Sequence, residues 1–430
     1  MLEKEDFVGY TPENIYLDNA ASTLAIKPAL QAGLDFLKTY GSIHRGAGHN
    51  SEVSTDAYEK DRETIKKYIN GTKNDSVIFT GNTTEGVNML AHILKPKDGG
   101  ILVSDIEHSS NLLPWMTNFK NVRVFETNEG HIDPEKIDIA LDKNPNIQLV
   151  ACTWASNISG YVTDMQSVYD VCKKHGVMLL ADASQYAPHF CPTLEYCDFL
   201  VYCGHKMHAP FGCGVLLAGT NEILDRPGTS MTGGGNVAYT SESATIYKHA
   251  SWMHEAGTPN GFGAITLAAA HDAIYSHPDE LYLHNVAMNQ AVDDAGEMLR
   301  KAGYTVWFDR EEEEKTPTFL IDFPLADNKA VVSLLGQKIG IYEKPVFCRI
   351  GTFCSYKMIE KLKGFNPLED FHRAFPDLSE ENGIYTTSEE LPARYSFIRL
   401  SAVLVNSEND VGYAAEKLCR IAEILKNKGR

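Results

Sequence analysis

The sequence predicts an α/β protein: a mostly parallel seven-stranded sheet with helices on both faces, followed by a smaller C-terminal α/β domain. Three observations carry that prediction. Seven short runs recur between residues 76 and 219, and all but VRVFET are apolar at consecutive rather than alternate positions. Strands of that kind are buried on both faces, as in a parallel sheet between two helix layers. Helical or loop segments separate most of the runs, and after about residue 263 the pattern changes to long helical stretches and a few further strands.

The elements follow in order. SEVSTDAYEKDRETIKKYI reads as an amphipathic helix closed by Asn70-Gly71. The apolar runs are SVIFT, ILVSD, VRVFET, IQLVACTW, VMLLADAS, DFLVYC and GVLLAG, with helical DPEKIDIALD and MQSVYDVCKKHG among the segments between them. GAITLAAAHDAIYS and YLHNVAMNQAVDDAGEMLRKAG then read as helices, TVWF and TFLIDF as strands, KAVVSLLGQKIG as a helix and IRLSA as a strand. A last helix starts after Asn406-Ser407, where Ser407 and Asp410 stand at capping-box spacing. The expected division is an N-terminal arm over 1–20, a large domain over 21–265 and a small domain over 266–430.

Composition narrows the function classes. A net charge of −18 over 430 residues disfavours binding a polyphosphate backbone, so no nucleic-acid partner is expected. No apolar run is long enough to span a bilayer, and MLEKEDFVGY lacks the basic and apolar regions of a signal peptide, so the expectation is a cytoplasmic protein without a membrane partner. Nine scattered cysteines with no CxxC pair suit free thiols in a reducing compartment. The acidic cluster DREEEEK, Asp309 to Lys315, reads as a solvated turn or helix face.

In open α/β sheets ligands gather at the carboxyl ends of the strands. Five successive apolar runs end in polar residues: Gly81 to Glu85, Glu107 to Asn111, Ser156-Asn157, Asp182 to Gln185, and Gly204-His205-Lys206. GNTTEGVNML leads small and hydroxyl residues into a helix, a setting that suits a phosphate. It is no Walker A loop, and Gly233 to Gly235 lack the setting of a dinucleotide fingerprint. Asp182 closes an apolar strand and needs a cationic partner there. Lys206, at a strand end shielded from water, suits Schiff-base chemistry. A different reading is a metal-binding protein using Cys197, Cys203, His205, His208 and Cys213. Against it, Lys206 lies among them and no CxxC or HxxxH pair occurs, so no metal is expected.

A phosphate cradle, a buried aspartate, a histidine and a lysine are the parts of a pyridoxal phosphate site. With YLDNAAST, HRGAGHNS, GNTTEGVN, EHSSNLLPW, SNISG, ADASQ, GHKMHAPFGCG and EAGTPN in this order, the chain resembles the fold-type I pyridoxal phosphate enzymes of the class V aminotransferase family, in the branch of cysteine desulfurases and selenocysteine lyases. The resemblance implies that Lys206 holds the cofactor covalently, that His108 stacks on its ring, that Asp182 pairs with the ring nitrogen and that Gln185 bonds the phenolic oxygen. It places Thr83, Thr84 and His205 at the phosphate, with Thr258 reaching in from a second subunit of a homodimer, and Asn157 near a small amino-acid substrate. Cys203 stands where the desulfurases usually carry a phosphate-binding serine, and a thiol is a poorer donor.

Arg399 in SFIRLSA matches the family arginine that grips a substrate carboxylate. In a strand it shares a face with Phe397 and Ser401, with Ile398 and Leu400 opposite. Upstream, Arg349-x-Gly351-x-x-Cys354 has the spacing of the loop that carries the desulfurase nucleophile, with Arg349 on the substrate side. The family form has two histidines before that cysteine; here they are Thr352 and Phe353. Arg-x-Gly-x-Phe-Cys followed by the long insertion GFNPLEDFHRAFPDLSEENGIYTTSEELP is closer to molybdenum-cofactor sulfurases, and the insertion is expected to reshape access to the site. The resemblance implies conversion of L-cysteine to L-alanine, with persulfide on Cys354 passed to a sulfur-acceptor protein. A C–S lyase or aminotransferase acting on another amino acid, with Cys354 not catalytic, is the alternative.

Overall fold

The structure, a computed structural model, describes residues 2–94, 99–219, 221–224, 230–308, 314–364, 369, 372–373, 379–381, 384–386 and 395–428. Asp309 to Glu313 of the acidic cluster and most of the insertion after Cys354 lie outside the described residues. In chain order the first strands are β1 (Ile15–Tyr16), β2 (Ser76–Thr80), β3 (Gly100–Ser104), β4 (Val122–Phe125) and β5 (Ile147–Thr153). Then come β6 (Met178–Asp182), β7 (Phe199–Cys203), β8 (Gly214–Ala218), β9 (Val237–Thr240) and β10 (Thr245–Tyr247). The last are β11 (Thr305–Trp307), β12 (Thr318–Asp322), β13 (Val346–Phe347), β14 (Arg349–Gly351), β15 (Ser379–Glu381), β16 (Ile384–Thr386) and β17 (Phe397–Ser401).

The seven apolar runs become β2 to β8, which form one sheet in the order β2-β8-β7-β6-β5-β3-β4. Only β8 runs against its neighbours; the other pairings are parallel. Successive residues of these strands feed opposite faces, as strand geometry requires. Ile101, Leu149, Leu180, Val201 and Leu216 pack with helix Thr83–Leu94 on one side. Leu102, Val150, Leu179, Leu200 and Leu217 pack on the other, in a core shared with helices His49–Tyr68, Met165–His175 and Gly261–Tyr275. A sheet covered twice has no polar face, which is why its inner strands read as unbroken apolar runs, while Arg123 and Val124 of the edge strand β4 are exposed.

A second sheet, antiparallel in the order β11-β12-β17-β14, carries its own core. Phe319, Ile321, Ile398 and Leu400 pack there against Met288 and Val292 of helix Pro278–Ala302 and against Leu418 of helix Glu408–Lys428. At the start of the last helix only half of a capping box forms. The Ser407 N–H donates to Asp410 Oδ2 at 2.9 Å, and Ser407 Oγ donates to the same oxygen rather than capping the backbone. Helix Gly261–Tyr275 straddles position 265, and Ala264, Leu267, Ala268 and Ile274 belong to the core of the seven-stranded sheet.

The N-terminal segment ties the two sheets together. β1 pairs with β13, and Asp18 bridges to Ser401 at the end of β17. Asn19 Nδ2 donates to the Ser401 carbonyl at 2.9 Å, while the Thr23 N–H donates to the His205 carbonyl at 2.9 Å. The arm therefore touches the strand bearing Arg399 and the turn bearing Lys206 within a few residues.

Candidate active site

One cavity of about 890 Å³ lies where the carboxyl ends of the parallel strands meet β14 and β17. Thr83, Thr84, His108, Asn157, Asp182, Gln185, Cys203, His205, Lys206, Arg349, Cys354 and Arg399 all line it. Thr258 does not. It lines a separate depression with Tyr58, Glu85 and Glu255. Glu255 itself is fixed by the buried Arg62, at 2.7 and 2.9 Å, and by the Tyr58 hydroxyl and Phe79 N–H, both at 2.9 Å.

One end of the cavity is built to accept an anion. Helix Thr83–Leu94 starts there, with Asn82 Oδ1 accepting from the Glu85 N–H at 3.0 Å. The Asn82 turn presses against the start of β8. A Cβ at Gly214 would stand 2.9 Å from Asn82 backbone atoms, so glycine is what lets the turn sit there. Thr83 Oγ1 and Ser184 Oγ are 2.8 Å apart, and Thr84 Oγ1 and Ser110 Oγ are 2.6 Å apart. Hydroxyls gathered on a helix N-terminus favour negative charge. The Cys203 thiol is 3.7 Å from His205 Nε2, and burial raises its pKa. Burial, then the charge of Lys206, holds His205 neutral down to about pH 4.

In the middle, Asp182 is 4% exposed and accepts from the Ser184 N–H at 3.0 Å. Burial raises its pKa, with Ser184 and Lys206 opposing. A carboxylate in this setting is short of positive charge. Lys206 sits in the one-turn helix Gly204–Lys206 that follows β7. The turn is braced from just past the arm, since Thr23 Oγ1 donates to the His205 carbonyl at 3.1 Å and accepts from the His208 N–H at 2.9 Å. The lysine is thus held at the lip of the core by a backbone fixed from a distant segment.

His108 Nδ1 accepts from the Ser110 N–H at 3.1 Å, which leaves the proton on Nε2. Burial, then Lys206, Arg399 and Arg349, pushes its pKa down to about 3, so the ring is neutral. Behind it Glu107 is buried and accepts from Ser104 Oγ, Asn111 Nδ2 and the Thr153 N–H at 2.6, 2.7 and 3.0 Å. Gln185 Nε2 donates to the Ala20 carbonyl at 2.7 Å, so the arm also orients this amide.

The far end is cationic. Arg399 lies on β17, between β12 and β14, and is 2% exposed, so it is not an edge-strand surface residue. Its Nη1 donates to the Asn157 carbonyl at 3.1 Å and its Nη2 to Asp18 Oδ1 at 3.2 Å, while the buried Nε has no partner. Burial lowers its pKa to about 10, with Asp18 opposing most. Arg349 pairs in register with Arg399, and its Nε is 3.9 Å from Asp18 Oδ2. Cys354 is exposed at the cavity, on the turn after β14. Asn157 faces this turn: its Nδ2 donates to the Phe353 carbonyl at 2.8 Å and its Oδ1 accepts from Ser355 Oγ at 3.0 Å.

Sequence reasoning does not assign Asp18, Ser110, Ser184 or Ser355. The two strand-end serines carry a signal in EHSSN and ADASQ. Asp18 stands within YLDNAAST, but the sequence does not pair it or Ser355 with their partners, which lie 381 and 198 positions away. Among the described residues, no group of three or more His, Cys, Asp or Glu side chains is arranged to hold a metal ion.

Known proteins are similar to this chain in sequence and in fold. The chain is 32% identical over 307 residues to a probable cysteine desulfurase of Borreliella burgdorferi, covering 65% of this chain and 72% of that one. It is 30% identical over 307 residues to a probable cysteine desulfurase of Halalkalibacterium halodurans, covering 68% and 74%. The apo structure of a cysteine desulfurase from Thermococcus onnurineus superposes over 99% of both chains with a TM-score of 0.81 at 25% identity. The Escherichia coli cysteine desulfurase CsdA shares the fold, with a TM-score of 0.78 over 98% of both chains at 24% identity. The family model for aminotransferase class-V matches residues 15–413, and with the cavity placed at the strand ends of that fold, the chain belongs to the aminotransferase class-V family.

Proposed function

We propose that the chain is a pyridoxal phosphate-dependent cysteine desulfurase that converts L-cysteine to L-alanine and takes the sulfur as a persulfide on Cys354. The observation that carries this reading is the placement of Lys206, Arg399 and Cys354 around one cavity, although they come from three distant parts of the chain. The donor set suits the cofactor. Thr83, Thr84, Ser184 and the first turn of helix Thr83–Leu94 would hold the phosphate, with His205 and Cys203 beside them. Asp182, buried and short of positive charge, would hold a protonated ring nitrogen, and Gln185 would bond the phenolic oxygen. When bound, the cofactor supplies an electron sink for the charge that develops at the substrate Cα.

The chain's own residues do the rest. Arg399 binds the substrate carboxylate through its unpartnered Nε and the adjoining Nη2, while Arg349 adds positive charge at the same end. Lys206 Nζ takes the proton from Cα and returns it. His108, neutral with its proton on Nε2, would lie against the ring of the bound cofactor without bringing a positive charge to it. Cys354 Sγ attacks the substrate sulfur as a thiolate; the new S–S bond forms as the Cβ–S bond breaks, Cβ keeps that bond's electron pair and takes up the proton the thiol gave up, and alanine leaves. The competing reading, a C–S lyase or aminotransferase acting on another amino acid, is favoured by Thr352 and Phe353, which put no imidazole beside Cys354.

The reading extends to the assembly. A homodimer would let Thr258, which does not line its own chain's cavity, complete the site of the other chain. Phe211 supports this. It is 87% exposed beside Gly212, whose carbonyl accepts from Asn260 Nδ2 at 2.6 Å near Thr258. A sulfur-acceptor protein and a cytoplasmic location belong to the same proposal; among the described residues no helix is long and apolar enough to cross a membrane. The division into arm, large and small domains also belongs to it, with the second boundary moved from 265 to the end of helix Gly261–Tyr275. The test is product analysis with L-cysteine. Alanine from the wild type and none from Cys354→Ala supports the reading; pyruvate, or equal turnover by both, refutes it.

A further inference from the structure

Phe353 and Cys354 both adopt left-handed backbone conformations, with φ of +53° and +56°. Two consecutive residues with side chains rarely do so, and they persist there only when their surroundings hold them. The surroundings are unusually complete. The Phe353 carbonyl accepts from Asn157 Nδ2 at 2.8 Å. The Cys354 carbonyl accepts from both the N–H and the hydroxyl of Ser109, at 2.7 and 2.8 Å. Ser355, fully buried, donates its hydroxyl to Asn157 Oδ1 at 3.0 Å. Three successive residues are therefore tied to the loops after β3 and β5, while the Cys354 side chain remains exposed at the cavity.

Asn157 has a third tie. Its backbone carbonyl accepts from Arg399 Nη1 at 3.1 Å, and the Arg399 guanidinium lies 4.7 Å over the Phe353 ring. We propose that Asn157 and Ser355 are positioning residues: together they latch the Cys354 turn in its left-handed form and couple it to the carboxylate grip at Arg399. The role of Asn157 is then to fix the nucleophile. The meaning of the latch for turnover rests on the desulfurase reading; its physical existence does not.

The test uses the holoenzyme of the wild type, Ser355→Ala and Asn157→Asp. The first variant deletes the hydroxyl, and the second keeps an acceptor for it but loses the donor to Phe353. Amide exchange of the 349–356 segment and the rate of Cys354 alkylation by iodoacetamide are followed by mass spectrometry. Losing one buried hydrogen bond changes such an opening equilibrium by about five- to tenfold, so both rates rise by about that factor in both variants. Because the latch acts on the attacking group, kcat for alanine release falls by a similar factor in both variants, while KM of the uncharged Ser355→Ala moves less than about threefold. Unchanged exchange and alkylation, or a response in only one variant, overturns the latch. Faster exchange with unchanged kcat overturns its part in turnover. If the wild type releases no alanine from L-cysteine, the desulfurase reading fails, and exchange with alkylation still decides the latch.

Discussion

Asp18 offers the sharpest perturbation. Its carboxylate lies 3.2 Å from Arg399 Nη2 and 3.9 Å from Arg349 Nε, so it balances charge that a substrate carboxylate would otherwise meet. Asp18→Asn keeps the shape and an oxygen for Arg399 but removes that charge. A ligand carboxylate on Arg399 Nε would stand roughly 6 Å from Asp18; at an effective dielectric of about 20–40 their repulsion is about 1.5–3 kcal/mol. Relaxation takes part of this back, so the variant should bind L-alanine and L-cysteine about tenfold more tightly. The fold moves the other way. Burial already lowers the pKa of Arg399 to about 10, and Asp18 is the main group opposing it. Losing the counter-charge while keeping the hydrogen bond should cost about 2 kcal/mol, below the usual cost of breaking a buried pair. The assays are the inhibition constant for L-alanine, KM for L-cysteine and the urea midpoint. Weaker L-alanine binding would refute the competing-charge argument and make Asp18 a residue that orients Arg399.

Three further outcomes follow from the same structure. His271 is fully buried, neither ring nitrogen has a partner, and burial pushes its pKa down to about 3. Its folded pKa lies below the ordinary 6.5, so its contribution is intact above about pH 6.5 and is lost as pH falls toward 3. His271→Phe should gain about 2 kcal/mol more at pH 5 than at pH 7 in urea unfolding, and an equal gain at both would contradict this. Burial raises Glu107 from 4.5 to about 8, so its contribution is intact below about pH 4.5 and is lost as pH rises through 8. Glu107→Gln should flatten the fall in stability between pH 5 and 9 by at most about 5 kcal/mol, read from urea midpoints across that range. Arg399→Lys loses the planar fork and the stacking on Phe353, so kcat/KM should drop about a hundredfold in steady-state assays, whereas a less than threefold change would remove Arg399 from substrate binding.

The legible part of the protein was local. Runs such as SVIFT and DFLVYC announce double-sided burial because a covered strand tolerates no polar face, and their polar ends, from Thr83 to Lys206, converge because parallel strands all finish at one edge. Periodicity did not reveal that β8 runs antiparallel, since a strand's direction leaves no mark on its composition. Nor did it reveal tertiary partners. Asp18 reaches Arg399 only because the arm bridges to Ser401, and Ser355 meets Asn157 only once the two sheets are docked. Asn157 lines the cavity, and its amide turns toward the cysteine turn, an orientation set by contacts remote in sequence.

The central claim is that Cys354 takes the substrate's sulfur. The direct measurement is a single turnover with L-cysteine in the absence of reductant, followed by peptide mapping of the enzyme by tandem mass spectrometry. One added sulfur atom is expected on the peptide containing Cys354, in equal amount to the alanine released. Alanine released with no sulfur on that peptide, or sulfur found on another cysteine such as Cys203, would contradict it.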